Sequence, residues 1–358
     1  MDLMELFSGS KKLVGLDIGS NSIKLAEVDS TPKGHILNRF RQIPVPPGTI
    51  VDGVVEDPGA LAATLKELFR NSGCKGKGVV TSLSGSSVIV KKVSLAQMEE
   101  TELRGLIHDE AGKYLPFDNM DDVNYDFQIL GDNEFNPNQM DVIIVAAKKT
   151  DVSSYLDAIT AAGLSVVIMD VDSFALETMY EANYEFENDE IVVIVNIGAN
   201  LTNINVIKGG MSIFTRDFTI AGNAITEGLQ EKYHVSAEEA ESMKTEGASG
   251  SEQNGMELSN AILDCAEPIC SEVERSVDYF RSTFGGDYIK HIYLSGGSSR
   301  IAGLAGHLSQ RLNIETDLIN PLLKIGYNKK NINAEKIDSI KTIGAVAIGL
   351  GLRKIGDK

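Results

Sequence analysis

Short apolar runs that end in glycine-bearing turns alternate with amphipathic stretches along this chain of 358 residues. Apolar alternation predicts strands, and a stripe repeating every three to four residues predicts helices. From Leu13 to about Val93 the two alternate. A first hairpin is followed by a strand near Ile36 to Ile43 and the proline-rich turn Pro44, Pro46, Pro47. Asp57 and Pro58 supply an N-cap and a first-turn proline for a helix whose stripe is Leu61, Leu65, Leu68 and Phe69, ending at Gly73. Val79 to Val90 reads as a strand broken at Gly85. Next come a helix over Gln97 to Tyr114, strands over Tyr125 to Leu130 and Asp141 to Ala147, and a helix over Thr150 to Ala162. This order suits a compact α+β insertion.

The chain then resumes with strand Ser165 to Asp170 and helix Ser173 to Tyr184. The fully apolar run Ile191 to Val195 predicts a strand buried on both faces, with two further strands ending near Ile220. Helices follow over Ala224 to Tyr233 and Ala237 to Lys244. A glycine- and serine-rich loop covers Gly247 to Gly255, and a long helix runs from Leu258 to Phe284 with Pro268 expected to kink it. Strand His291 to Leu294, helix Ile301 to Leu312 and a glycine-bearing helix from Ile343 to Leu352 close the order.

One pattern occurs twice. V-G-L-D-I-G-S-N-S-I-K-L-A-E-V spans Val14 to Val28, and V-I-V-N-I-G-A-N-L-T-N-I-N-V spans Val193 to Val206. Asp17 and Asn196 stand 179 positions apart, and each is followed by Ile, Gly, a small residue and Asn. A hairpin with such a tight turn gathers backbone N–H groups at one point, a nest suited to phosphate. Two of them, one in each half of a duplicated protein, can hold a triphosphate from both sides. Asp17 ends a buried strand, where a carboxylate is costly unless it serves a ligand or a metal's water shell. Gly19 permits close approach, Ser20, Asn21 and Ser22 offer donors, and Lys24 offers a cation or faces solvent. A third glycine turn, Ser295-Gly296-Gly297-Ser298-Ser299-Arg300, lies between a strand and a helix and favours a polar or anionic ligand.

Composition narrows the function. A net charge of −18 and a pI near 4.7 disfavour unaided binding to nucleic acid or anionic lipid. Cys74, Cys265 and Cys270 form no metal spacing and suit a reducing compartment, and the five histidines form no ligand pair at helical spacing. The longest apolar stretch, Ile343 to Leu352, is about half the length that spans a bilayer. Leu3, Met4, Leu6 and Phe7 form either an N-terminal turn packed on its own domain or a contact for a membrane or partner. The expected location is the cytoplasm.

Five motifs in order resemble the actin/hexokinase/Hsp70 superfamily: D-I-G-S-N-S at 17–22, the strand end Met169 to Asp172, N-I-G-A-N at 196–200, S-G-G-S-S-R at 295–300 and the terminal glycine helix. Within it the chain is similar to the PilM family, actin-like and FtsA-like cytosolic proteins of the type IV pilus assembly platform. The matching stretches are the first hairpin, I-V-D-G-V-V-E-D at 50–57, K-Y-L-P-F at 113–117 and A-I-T-E-G-L-Q at 224–230. The resemblance implies a duplicated, ribonuclease H-like α/β fold that binds ATP and Mg²⁺. Asp17 would hold Mg²⁺ through water. Gly19, Ser20, Asn21, Ser22 and Lys24 would meet the phosphates, facing Asn196, Gly198, Asn200 and Thr202. Gly296, Gly297, Ser298 and Arg300 would flank the adenosine, with Glu241 and Lys244 on ribose and base.

The resemblance also sets the expected division. A first half covers 1–91, completed by 168–188 and 340–358; an FtsA-like subdomain is inserted at 92–167. A second half covers 189–223 and 286–339, with a helical adenosine-side part at 224–285. The implied partner is the short cytosolic tail of a PilN-like single-span membrane protein, held in a groove between the first and inserted subdomains. That places the chain peripherally at the inner membrane. Contacts with pilus motor ATPases and a homo-oligomer or ring are further implications. One departure stands out: where the family's second phosphate loop usually begins with Asp, this chain has Asn196. An amide carries no charge and cannot act as a base, so binding should persist with at most weak ATPase activity, and no catalytic residue is assigned. A sugar or carboxylate kinase, using Asp170 or Asp172 as base, and an FtsA-like filament-forming division scaffold are the alternatives.

Overall fold

A computed structural model describes residues 13–133, 135–246, 252–284 and 288–357. The chain opens with β1 (Val14–Ile18), β2 (Ser22–Thr31) and β3 (Gly34–Pro44), a small hairpin of β4 (Ile50–Val51) and β5 (Val54–Val55), α1 (Pro58–Ser72) and β6 (Gly78–Leu83). The Asp57 carboxylate accepts from the Ala60 N–H at 2.9 Å, and Gly73 ends α1 in the left-handed region. β7 (Ile89–Ala96), α2 (Glu100–Tyr114), β8 (Val123–Asp132) and β9 (Gln139–Lys148) follow, then α3 (Lys149–Ala161), β10 (Ser165–Val171) and α4 (Asp172–Asn183). The second half comprises β11 (Ile191–Ile197), β12 (Thr202–Lys208), β13 (Met211–Phe218), α5 (Gly222–Tyr233), α6 (Ala237–Glu246), α7 (Glu252–Phe284), β14 (Ile289–Ser295), α8 (Leu304–Leu312) and β15 (Thr316–Leu318). β16 (Gly326–Tyr327), α9 (Ile337–Ile343) and α10 (Ala345–Leu352) complete it.

Two mixed sheets share one plan. The first runs β10-β6-β1-β2-β3-β16 and the second β13-β12-β11-β14-β15. In each, the strand before the glycine turn pairs antiparallel with the strand after it and parallel with a strand on its other side. A core of α4, α10 and both sheets joins the halves, with Ala175, Leu176, Val192, Ile194 and Ile348 buried together. A Cβ on Gly15 would collide with the Ala347 carbonyl, so β1 and α10 pack backbone against backbone.

Three boundaries differ from the sequence expectation. The inserted unit, a sheet ordered β7-β9-β8 with α2 against it, has its own core from Val93 to Ala146. α3 instead buries Tyr155, Ala158 and Ile159 in the core of the first sheet, and β10 extends that sheet. The insertion therefore closes near Lys148 rather than at 167, because α3 carries an apolar face that only the first sheet covers. Val79 to Val90 is two strands in two sheets, β6 and β7, divided at Gly85 as its positive φ requires. Gly326 and Tyr327 pair with β3, so part of 286–339 belongs to the first sheet.

α7 begins at Glu252 and takes in the end of the expected loop, and it continues through Pro268. Residues 247–251, like Leu3, Met4, Leu6 and Phe7, lie outside the described residues. Among the described residues no helix is long and apolar enough to cross a membrane.

Candidate functional site

The two repeated turns close alike. The Gly19 N–H donates to the Ser22 carbonyl at 3.3 Å, and the Gly198 N–H donates to the Leu201 carbonyl at 2.9 Å. Each turn has carried its strand ends to one cavity of about 90 Å³ between the halves. Asp17, Gly19, Ser20, Asn21, Ser22 and Lys24 line it from the first half, and Asn196, Gly198, Asn200, Gly296 and Gly297 from the second. Gly296 has φ +89°, and a Cβ there would strike the Ile197 carbonyl, so glycine alone lets the third turn lie on the second hairpin.

Cross-strand register separates the two copies chemically. Asp17 stands opposite Lys24, with Nζ 3.2 Å from Oδ2. The equivalent pair in the second copy is Asn196 opposite Asn203. An ion pair on one wall is thus matched by two amides on the other.

Five of the expected residues do not line the cavity. Thr202 is fully buried, and its hydroxyl donates to the Ile220 carbonyl at 2.8 Å, which fixes the strand rather than offering a donor to a ligand. Ser298 donates to the Gly198 carbonyl at 3.1 Å and so supports the turn from behind. Lys244 is buried and donates to the Gly222 carbonyl at 3.1 Å and to Thr226 Oγ1 at 2.8 Å, with Glu241 Oε2 at 2.6 Å. That network braces the start of α5, whose Gly222 N–H donates to the Gly198 carbonyl at 3.0 Å. Arg300 is exposed.

Two lining carboxylates complete the site. Asp172, weighed from the sequence only as a kinase base, accepts from Ser82 Oγ at 2.5 Å. Burial pushes its carboxyl up to about 7, the Asp17 and Asp217 charges add to the shift, and Ser82 and Lys24 oppose it. Asp217, which no sequence signal marked, accepts from the Gly85 N–H at 2.5 Å and from Asn203 Nδ2. Burial also raises its carboxyl, against the pull of those two bonds. Lys24 is the only basic side chain among the described residues that line the cavity. Asp17 is paired with Lys24, and burial holds Asp172 and Asp217 toward their neutral form, so the cavity offers a bare polyphosphate no unpaired positive side chain among its described lining residues. The donor set suits Mg²⁺: hard oxygens from Asp17 and Asp172, and the buried Asn203 Oδ1, which has no hydrogen-bond partner.

Elsewhere the fold gathers Glu267, Cys270 and His307, which showed no spacing in the sequence. His307 and Arg311 already engage the Glu267 carboxylate as hydrogen-bond and ion-pair partners.

Two glycine-turn hairpins facing one another from a duplicated α/β sheet, with a third glycine turn beside them, define the actin-like fold. Comparison with known proteins agrees. The chain is similar in structure to an ethanolamine utilization protein EutJ from Carboxydothermus hydrogenoformans (TM-score 0.56, 17% identity, 95% of this chain and 88% of that one). It is also similar to MreB5 of Spiroplasma citri bound to AMPPNP (TM-score 0.50, 13% identity, 95% and 94%). A much nearer match is a PilM–PilN type IV pilus biogenesis complex, with TM-score 0.85, 29% identity and 97% and 99% of the two chains covered. The family model described as type IV pilus assembly protein PilM matches residues 15–355. The chain belongs to the PilM family of type IV pilus assembly proteins.

Proposed function

We propose that this chain is an ATP-binding scaffold of the pilus assembly platform whose ligand holds the two halves in one arrangement. The observation that carries the reading is the pair of equivalent turns around a single cavity, each with its Gly N–H donating to a carbonyl three residues on. Backbone donors of the two turns bind the phosphates, and Lys24 supplies the cationic contact. Mg²⁺, held by Asp17 through water with Asp172 and Asn203 at hand, supplies the charge that lets a polyphosphate enter among carboxylates. A ligand at about 100 times its Kd stabilises the state it binds by roughly 2.7 kcal/mol, so binding alone suffices to fix the halves.

The similarity to a PilM–PilN complex supports a PilN-like membrane protein as partner. Its short cytosolic tail would dock between the first part and the inserted unit, keeping the chain at the inner membrane. Homo-oligomerisation and contact with motor ATPases belong to the same reading. The four-part division is kept with boundaries moved, the inserted unit now spanning 89–148. Asn196, an uncharged amide where the resemblance leads one to expect Asp, can neither act as a base nor offer charge to a metal's water, which supports slow or absent turnover. The test is to incubate the protein with Mg-ATP, remove the excess, quench in acid and quantify nucleotide. ATP near one per chain supports a structural ligand. Mostly ADP would restore a cycling ATPase, and no retained nucleotide would overturn the proposal.

A further inference from the structure

Two segments join the inserted unit to the rest of the molecule: residues 84–88 lead into β7, and α3 leads away from β9. Both segments bind the same atom. The Gly53 carbonyl oxygen accepts from Ser87 Oγ at 2.5 Å and from the Tyr155 hydroxyl at 2.9 Å. Gly53 itself lines the cavity between the halves. One peptide group therefore touches the candidate ligand space on one side and both connections of the inserted unit on the other.

The turn that carries this carbonyl has little slack. Asp52 and Gly53 are the two central residues of the β4–β5 hairpin, and both have positive φ, 49° and 83°. A Cβ on Gly53 would collide with the Ser84 carbonyl. The Asp52 carbonyl accepts from the Ser86 N–H at 3.2 Å and from Ser86 Oγ at 2.9 Å. The incoming segment is also tied to the second half, because the Gly85 N–H donates to Asp217 and a Cβ on Gly85 would lie 2.7 Å from Leu201 Cδ1. Leu201 and Asp217 line the same cavity. On the outgoing side Tyr155 is only 2% exposed, so its ring cannot swing away to accommodate a shift of the turn.

We propose that the Asp52–Gly53 turn couples occupancy of the cavity to the setting of the inserted unit, with Ser87 and Tyr155 as positioning residues. This rests on the nucleotide reading above and deepens it. A ligand that orders the turn orders both connections, and by linkage a partner that fixes the inserted unit strengthens ligand binding by the same factor. Neither side chain reaches the cavity itself, so removing its hydroxyl acts on the coupling and leaves the binding surface intact.

The test is amide hydrogen exchange on the full chain with and without Mg-AMPPNP, for the parent protein, Tyr155→Phe and Ser87→Ala. Phe keeps the buried ring, so the first variant retains the packing of α3. In the parent, nucleotide should slow exchange at the turns 17–22 and 196–201 and also at 89–93 and 145–155. In either variant the first effect should persist, with nucleotide affinity unchanged within about twofold, while the second falls about fivefold, the factor that one net hydrogen bond is worth. Full protection of 89–93 and 145–155 in both variants would overturn the coupling. So would a parent in which nucleotide protects the cavity turns but not the inserted unit, and that result would leave the nucleotide reading intact. No protection at the cavity turns would remove the nucleotide reading and the coupling with it.

Discussion

Asp172 offers a direct measure of how the cavity holds charge. Its carboxyl is raised from 3.8 to about 7, chiefly by burial and then by Asp17 and Asp217. A folded-state value above the unfolded one means that the native protein retains a proton the unfolded chain has released. Stability therefore falls as pH rises from about 4 to about 7 and is flat above that. At about 1.4 kcal/mol per pH unit, the loss between pH 5 and 7 is on the order of 2–3 kcal/mol. With an unfolding entropy of about 2.1 cal/mol/K per residue over the whole chain, each kcal/mol moves Tm by a little over 1 °C, so the metal-free protein should lose about 3 °C. Asp172→Asn keeps the shape and cannot ionise. Thermal unfolding in EDTA from pH 5 to 8 should show the variant with a flatter profile and a higher Tm at pH 8. Glu177, also buried and raised to about 7, contributes equally to both proteins and cancels in the comparison. Parallel profiles would refute the argument that Asp172 enters the folded state as a neutral acid.

Gly15→Ala should destabilise by roughly 1–3 kcal/mol or more, seen as a lower denaturant midpoint, because its methyl group would displace α10. Thr202→Val should cost about 1 kcal/mol of stability yet leave nucleotide affinity unchanged in calorimetry, since its hydroxyl serves the Ile220 carbonyl. Gly296→Ala should weaken nucleotide binding at least tenfold in the same titration by forcing the third turn off the second hairpin. Asn196→Asp should raise ATP turnover in a phosphate-release assay, and unchanged turnover would remove the explanation offered for slow hydrolysis.

The hairpin repeat was legible because a tight glycine turn leaves its mark in consecutive residues. Asp17, Lys24 and Asn196 line one cavity together. Asp217 and Asn203 did not stand out, since each is one polar residue in a strand, and only the neighbouring strand and Gly85 give it a role. Thr202 misled for the opposite reason: it sits in the motif, but the strand it begins turns its hydroxyl inward. Lys244 and Glu241 showed a helical spacing, which cannot tell a ligand contact from a brace on the next helix. The insertion's far boundary was missed because α3 is amphipathic in either setting, and its apolar face chooses the first sheet only in three dimensions.

The position of α10 bears on how the molecule is made. β1 is made before every other described strand, yet its backbone is covered by residues 345–352, and the core that joins the halves draws on Leu13 and Leu352 alike. The core of the second sheet, by contrast, is assembled from Ile191 to Ile314. During synthesis the second sheet has its core partners before α10 is made, so the face of β1 and β2 that α10 covers stays open until residues 345–352 follow. The first of the described strands are sealed by the last of the described helices.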